Sequence, residues 1–222
     1  MAVVDEASSP PGARLSASGQ PIPGDGAGAE PRVLPVGTSG GILSGFEGLD
    51  DGMGLVRLGD ELLSLDPVSY RLWHTLHVVP TETAAKALTA RAEQEPETDP
   101  LASLRSSGLA ATWSRDPGGC TELTERHSVR LVGTCLGNGE GRGQTFLIGD
   151  LLGQPRTRVD VVVYEFLLTG SGHDSIAEEC RRLEFDGSTA AAGIEARVVA
   201  TLPELMRAGL IRVDVVRDGS RG

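Results

Sequence analysis

Aromatic residues are scarce in this chain. Phe, Trp and Tyr together make up 4% of 222 residues. Its cores must therefore be assembled from Leu, Val, Ile and Ala. Lysine is nearly missing as well: 19 of the 20 basic residues are Arg, and Lys86 is the exception. The bias runs along the whole chain beside abundant Ala and Gly, the mark of a GC-rich genome and not of a mechanism. Cysteine occurs only at Cys120, Cys135 and Cys180, far apart and in no Cys-x-x-Cys. That argues against a disulfide framework or a structural zinc site. Reduced thiols in a cytoplasmic protein are the expectation. No apolar run approaches the roughly 18 residues of a membrane span. Residues 1–30 lack the charged and apolar regions of a signal peptide.

Catalytic signatures are missing too. There is no Gly-x-Ser-x-Gly, and no Cys stands in a recognisable pattern with a His. Gly137-Asn138-Gly139-Glu140-Gly141-Arg142-Gly143 is glycine-dense, but neither Lys nor Ser/Thr follows to hold phosphate and Mg²⁺. It reads as an inter-module loop. His74-x-x-His77 has the i, i+3 spacing of a shared metal ligand pair but no third ligand nearby. These observations predict a protein that is not an enzyme and needs no cofactor or metal.

Acidic charge is what the chain has in excess. The net charge is −11 and the pI about 4.8. Residues 1–130 hold 10 basic and 18 acidic residues, and residues 131–222 hold 10 and 13. A duplex phosphate array repels such a chain. A local arginine face would have to overcome that, and the second half is the better place for one.

The first 31 residues are rich in Pro, Gly, Ala and Ser and read as a disordered tail. Short strands are expected over 32–65, with a turn at Gly59-Asp60. Asp66-Pro67 then opens a helix, Asp as N-cap and Pro at the first helical position. Val68, Leu72 and Leu76 follow at i, i+4, i+8 beside Trp73. A second helix runs from Pro80-Thr81-Glu82 to Glu95-Pro96. A third covers about 98–107 and ends at Gly108. Leu109–Trp113 is a strand, turned at Asp116-Pro117-Gly118-Gly119, and Cys120–Val132 returns to complete a wing.

The same order recurs. Leu58-Gly59-Asp60 is answered by Ile148-Gly149-Asp150, and Tyr70-Arg71-Leu72-Trp73 by Tyr164-Glu165-Phe166-Leu167. Gly108-Leu109 is answered by Gly209-Leu210. Asn138-Gly139 is a hairpin signal, and Val159, Val162, Val163, Phe166 and Leu167 make a helical stripe. Ser175-x-x-Glu178 is a capping box. A helix over 191–208 carries Pro203, which leaves its boundary open. Leu210–Val216 is a strand with almost no return.

Leu202-Pro203-Glu204-Leu205-Met206-Arg207-Ala208-Gly209-Leu210-Ile211 resembles the recognition-helix end of bacterial winged-helix regulators. Val56-Arg57-Leu58-Gly59-Asp60, Leu65-Asp66, Leu72-Trp73, and Leu104 through Gly108-Leu109 resemble the pyrroloquinoline quinone biosynthesis protein D family, a peptide-recognition module. The resemblance implies a fold: an α+β protein of two tandem winged helix-turn-helix modules, 32–132 and 133–222, after a disordered tail, 1–31. It also implies a peptide added as a strand beside a β-edge. That places a groove at Leu55 and Arg57 on the strand and at Leu101 and Arg105 on the third helix.

The expected function is a non-enzymatic adaptor for a peptide or protein partner. The alternative is a DNA-binding regulator, with Arg181, Arg182, Arg197, Arg207, Arg212 and Arg217 as its phosphate- and base-contacting face. Glutamates beside several of these arginines equally fit a salt-bridged surface. A homodimer is left open.

Overall fold

In the computed structural model the described residues are 32–42, 52–83, 87, 99–114, 117–138, 145–170, 172, 174–186 and 193–216. The tail expected over 1–31, most of the helix expected over 81–95, the Gly139–Gly143 loop and Arg217 lie outside them. Residues 31–222 form one compact unit. The fold is α+β.

The first repeat runs β1 (Arg32–Pro35), β2 (Thr38–Ile42), β3 (Gly54–Leu58), β4 (Glu61–Leu65), α1 (Pro67–Leu76), α2 (Pro100–Ser106) and β5 (Ala110–Trp113). A 3-10 turn, Pro117–Cys120, and a short helix α3 (Thr121–Arg126) lead onward. The second repeat runs β6 (His127–Leu131), β7 (Thr134–Asn138), β8 (Thr145–Gly149), β9 (Pro155–Asp160), α4 (Val161–Thr169), α5 (Ile176–Asp186), α6 (Ile194–Arg207) and β10 (Ile211–Val215). Within each repeat the middle three strands form an antiparallel sheet, β2-β3-β4 and β7-β8-β9. The outer two pair antiparallel, β1 with β5 and β6 with β10.

This pairing corrects the expected wings. The strand β5 does not form a hairpin with residues 120–132. Cys120–Arg126 is helical, and β6 pairs with β10 across the whole second repeat. The boundary between repeats therefore falls within residues 114–126, and β6 belongs to the second repeat. The helical stripe expected from Val159 begins two residues later: Val159 lies in β9, and Asp160, the last residue of that strand, caps α4.

The two repeats match in detail. Asp66 Oδ1 accepts the N–H groups of Val68 at 2.9 Å and Ser69 at 3.0 Å, and Asp160 Oδ1 accepts that of Val163 at 3.0 Å. Both first sheet strands bulge at the same place, between Ser39 and Gly41 and between Cys135 and Gly137. Val36 N–H donates to Leu109 O and Val132 N–H to Leu210 O. Gly108 and Gly209, at φ 75° and 69°, turn the third helix into the last strand, a left-handed step that Gly makes without a Cβ penalty. The Ser175–Glu178 capping box forms reciprocally, at 3.1 and 3.2 Å.

Strand alternation divides β1 between two cores. Val33 joins Val56, Leu72, Trp73, Leu76 and Leu104 in the first repeat. Leu34 and Val36 join Trp113, Leu123, Val129 and the helices of the second repeat. Trp73 Nε1–H donates to Val36 O at 2.9 Å inside this junction.

The caps make a measurable contribution. Burial alone would raise the Asp66 carboxyl, but the hydrogen bonds it accepts from Ser69 and Val68 outweigh that and hold it below its ordinary value. A depressed carboxyl stabilises the fold above its unfolded pKa and loses that contribution as pH falls through the folded pKa. Asp66→Ala is expected to cost about 1 kcal/mol near neutral pH. Urea melts repeated at about pH 3 should show the variant and the parent drawing together.

Candidate functional site

The residues expected to form a peptide groove do not do so together. Leu55 and Arg57 lie on β3, and β3 is the central strand of its sheet, bonded to β2 on one side and β4 on the other. A central strand has no free ladder to offer. Leu101 is buried in the first-repeat core. Arg105 is exposed and pairs with Glu82 at 3.0 Å. Of the four, only Arg105 borders the cavity described next.

The arginines are dispersed in a similar way. Arg182 is held by Asp174 and by Glu179, the latter at 2.9 Å. Arg181 is on α5 and exposed, and Arg197 and Arg207 are exposed on α6. Arg212 faces Arg130 across the β6–β10 ladder. On α6, Glu204 reaches β9, where it accepts from Thr157 Oγ1 at 3.0 Å.

A cleft of about 900 Å³ opens at the junction of the repeats. One wall is β5, through Ala110, Ala111 and Thr112. Glu122, Leu123 and Arg126 of α3 line the cleft as well, with Leu58 and Val215. Arg105, Ser106 and Ser107, all exposed, also border it. The register explains why β5 presents backbone here. Val36 bonds to Leu109, so the paired positions continue at Leu34–Ala111 and Arg32–Trp113. Ala110 and Thr112 between them point their N–H and C=O groups away from β1, into the cleft. Among the described residues no strand pairs with that edge. The outer edge of β1, by contrast, is covered: Val33 N–H donates to Pro80 O and Gly37 N–H to Val213 O.

The electrostatics of the cleft are mixed and mild. Arg126 is tied to Glu122 at 3.0 Å. Glu125 makes no ion pair among the described residues. His127, buried in the wall, has its pKa lowered by burial, against the pull of the Leu123 carbonyl 3.2 Å from Nδ1. It is a neutral packing residue near pH 7. The cleft presents an extended backbone edge, small side chains and the Glu122–Arg126 pair.

His77, His74, Cys180 and Cys120 do not line the cleft. His77 packs edge-on against Trp73, ring centres 4.5 Å apart, and its pKa is lowered by burial. His74 lies 6.2 Å from it, ring to ring. Cys180 is a core residue whose thiol is pushed up to about 12 by burial and by Glu195, Glu184 and Glu179. Cys120, expected on the wing, is buried at the end of the 3-10 turn before α3, and its Sγ is hydrogen-bonded with Ser114 at 3.2 Å. Among the described residues no three His, Cys, Asp or Glu side chains are gathered to hold a metal ion. No described helix is long and apolar enough to cross a membrane.

Sequence reasoning missed β5 as the open edge because the turn after it looked like a hairpin. The signal that could have found it is a second echo, Val36-Gly37-Thr38 against Val132-Gly133-Thr134. That echo places a strand before each sheet and so supplies the true partner of β5 and of β10. Compared with protein-family models, curated proteins and solved structures, the chain matches none.

Proposed function

We propose that this chain is a non-catalytic binding protein, an adaptor that captures an extended segment of a peptide or protein partner along β5 in the junction cleft. The observation that carries the reading is the outer edge of β5, which no strand among the described residues pairs, with Ala110 and Thr112 turned into a cavity lined by a helix. A strand edge beside a helix is the geometry of β-augmentation: main-chain bonds supply affinity and neighbouring pockets supply side-chain preference. The resemblance of the first repeat to a peptide-recognition family points the same way. A net charge of −11 favours a polypeptide over duplex DNA.

A random peptide library displayed on phage and panned on the immobilised full chain tests this. Peptides enriched on the parent chain should bind Thr112→Pro at least about tenfold more weakly, because proline removes the central N–H of the edge. Enriched peptides that bind both chains alike would contradict the site. A gel shift with duplex fragments that disappears in Arg197→Ala would contradict the function.

A further inference from the structure

The two repeats carry opposite chemistry on one face of their outer strand pairs. Val36 N–H donates to Leu109 O and Val132 N–H to Leu210 O, which fixes the correspondence. Two positions further along, Leu34 opposite Ala111 answers Arg130 opposite Arg212. In the first repeat this face packs on the second: Leu34 is buried there, and Ala111 lies against the same cluster. In the second repeat Val129 and Val213 fill the core, so alternation turns Arg130 and Arg212 away from it. Both are exposed.

This arginine pair lacks an internal partner. Its two positions form a hydrogen-bonded pair of the ladder, with Cα atoms about 5.5 Å apart, and like charges so placed repel. Arg57, Arg105, Arg126, Arg156 and Arg182 each meet a carboxylate. Arg130 and Arg212 make no ion pair among the described residues, in a chain with 31 acidic side chains. An unfavourable pair kept without compensation inside the chain marks a site whose compensation comes from outside.

Further basic groups gather beside it. Trp73 Nε1–H donates to Val36 O, and Gly37 N–H donates to Val213 O. These two bonds set the end of α1 beside β10. His77, which caps α1, packs on the Trp73 ring, and its Nδ1 lies 3.2 Å from Trp73 O. A carbonyl accepts, so Nδ1 holds the proton and Nε2 can gain one. Burial lowers the His77 pKa, the bond with Trp73 O opposes that, and the charges of His74 and Arg212 lower it further. His77 and Arg212 are therefore within reach of each other's charge across the two repeats. Gly172, between α4 and α5, lies against the other arginine: a Cβ on it would be 3.5 Å from Arg130 Nε.

We propose that Arg130 and Arg212, joined by His77, bind a phosphate monoester. Each guanidinium is a planar fork of donors suited to phosphate oxygens. Two forks side by side match the charge of one dianionic group. Two fixed charges on so acidic a chain do not hold a duplex, whose readers make roughly 6–10 phosphate contacts. None of the three residues lines the junction cleft, so the site is independent of the peptide reading.

A titration of the full chain with inorganic phosphate at constant ionic strength, followed by two-dimensional NMR, tests this. Arg130, Arg212, His77 and Gly172 should shift together along one saturable curve. Arg181, Arg197 and Arg207, exposed on α5 and α6, should stay still. Arg130→Gln and Arg212→Gln should each weaken binding about tenfold, the loss of one charge-assisted contact. Both alter exposed side chains and relieve a like-charge repulsion, so neither should melt below the parent. Phosphate should raise the Tm of the parent by mass action and leave that of the double variant unchanged. A phosphoserine peptide and glycerol phosphate, titrated in the same way, distinguish a protein-borne group from one on a small molecule. Whichever binds more tightly than inorganic phosphate identifies the carrier, and a chain that prefers neither overturns a monoester site. Shifts that never saturate, equal shifts at Arg197 and Arg207, or a double variant stabilised as much as the parent overturn the proposal.

Discussion

Trp113→Ala is expected to destabilise the fold by about 4 kcal/mol in urea denaturation. The residue lies on β5 of the first repeat, and its ring enters the core of the second. Its Nε1–H donates to Val199 O, on α6, at 2.6 Å. That carbonyl is available for a reason visible in the sequence. Pro203, four residues on, stands inside α6 and has no N–H to offer the helix ladder. The indole of the first repeat supplies the missing donor. Deleting the side chain removes a large apolar ring and also orphans a buried acceptor. The second effect can be isolated. Trp113→Phe keeps most of the apolar surface and should cost about 2 kcal/mol. In a Pro203→Ala background, where the helix regains its own N–H, the same change should cost about 1 kcal/mol less. Additivity across this cycle would show that the proline and the tryptophan are energetically unconnected.

Gly133→Ala is expected to cost about 3 kcal/mol, or to prevent folding, because overpacking against backbone has no cheap relief. A Cβ there would lie 2.2 Å from Gly149 O and 3.0 Å from Leu210 Cδ2. Its counterpart Gly37 meets the same obstacle, Arg57 O at 2.6 Å, and adds a φ of 96°. Each of these glycines is the corner at which the repeat passes from its outer strand pair into its three-stranded sheet. Gly153→Ala is the control. It has a φ of 74° but nothing within 4 Å of a new Cβ, so only backbone strain of about 1 kcal/mol applies. Chemical denaturation of the three variants should separate steric contact from strain; Gly133→Ala within about 0.5 kcal/mol of the parent would contradict the packing described.

Local chemistry was legible in the sequence, and long-range pairing was not. Asp66-Pro67, Ser175-x-x-Glu178, Gly108 and Gly209 all act within a few residues of themselves, and each stands where its chemistry placed it. Tyr70 and Tyr164 were matched by order alone. Both pack on their sheets, Tyr70 over Gly54 with a 2.8 Å bond to Ser39, and Tyr164 stacked on Phe146 at 4.4 Å. The strand partners of β5 and β6 were a different matter. Asp116-Pro117-Gly118-Gly119 between two apolar stretches reads as a hairpin turn, yet a turn signal states only that the chain bends. Which strand it meets next is decided by burial of Leu34, Val36, Trp113 and Val129 in one core, and those residues are far apart in sequence. The site followed the same logic. The family resemblance points to Leu55 and Arg57 on a strand, whereas a docking edge is defined by the strand that is missing beside it.

Amide hydrogen exchange at β5, resolved residue by residue by NMR, tests the central claim most directly. In the free monomer Ala111 and Trp113, bonded to β1, should be protected, and Thr112, turned into the cleft, should exchange far faster. Addition of a peptide selected on the chain should slow Thr112 and leave Ala111 unchanged. Protection of Thr112 in the free monomer, or exchange at Thr112 that no partner alters, would contradict an open docking edge in this cleft.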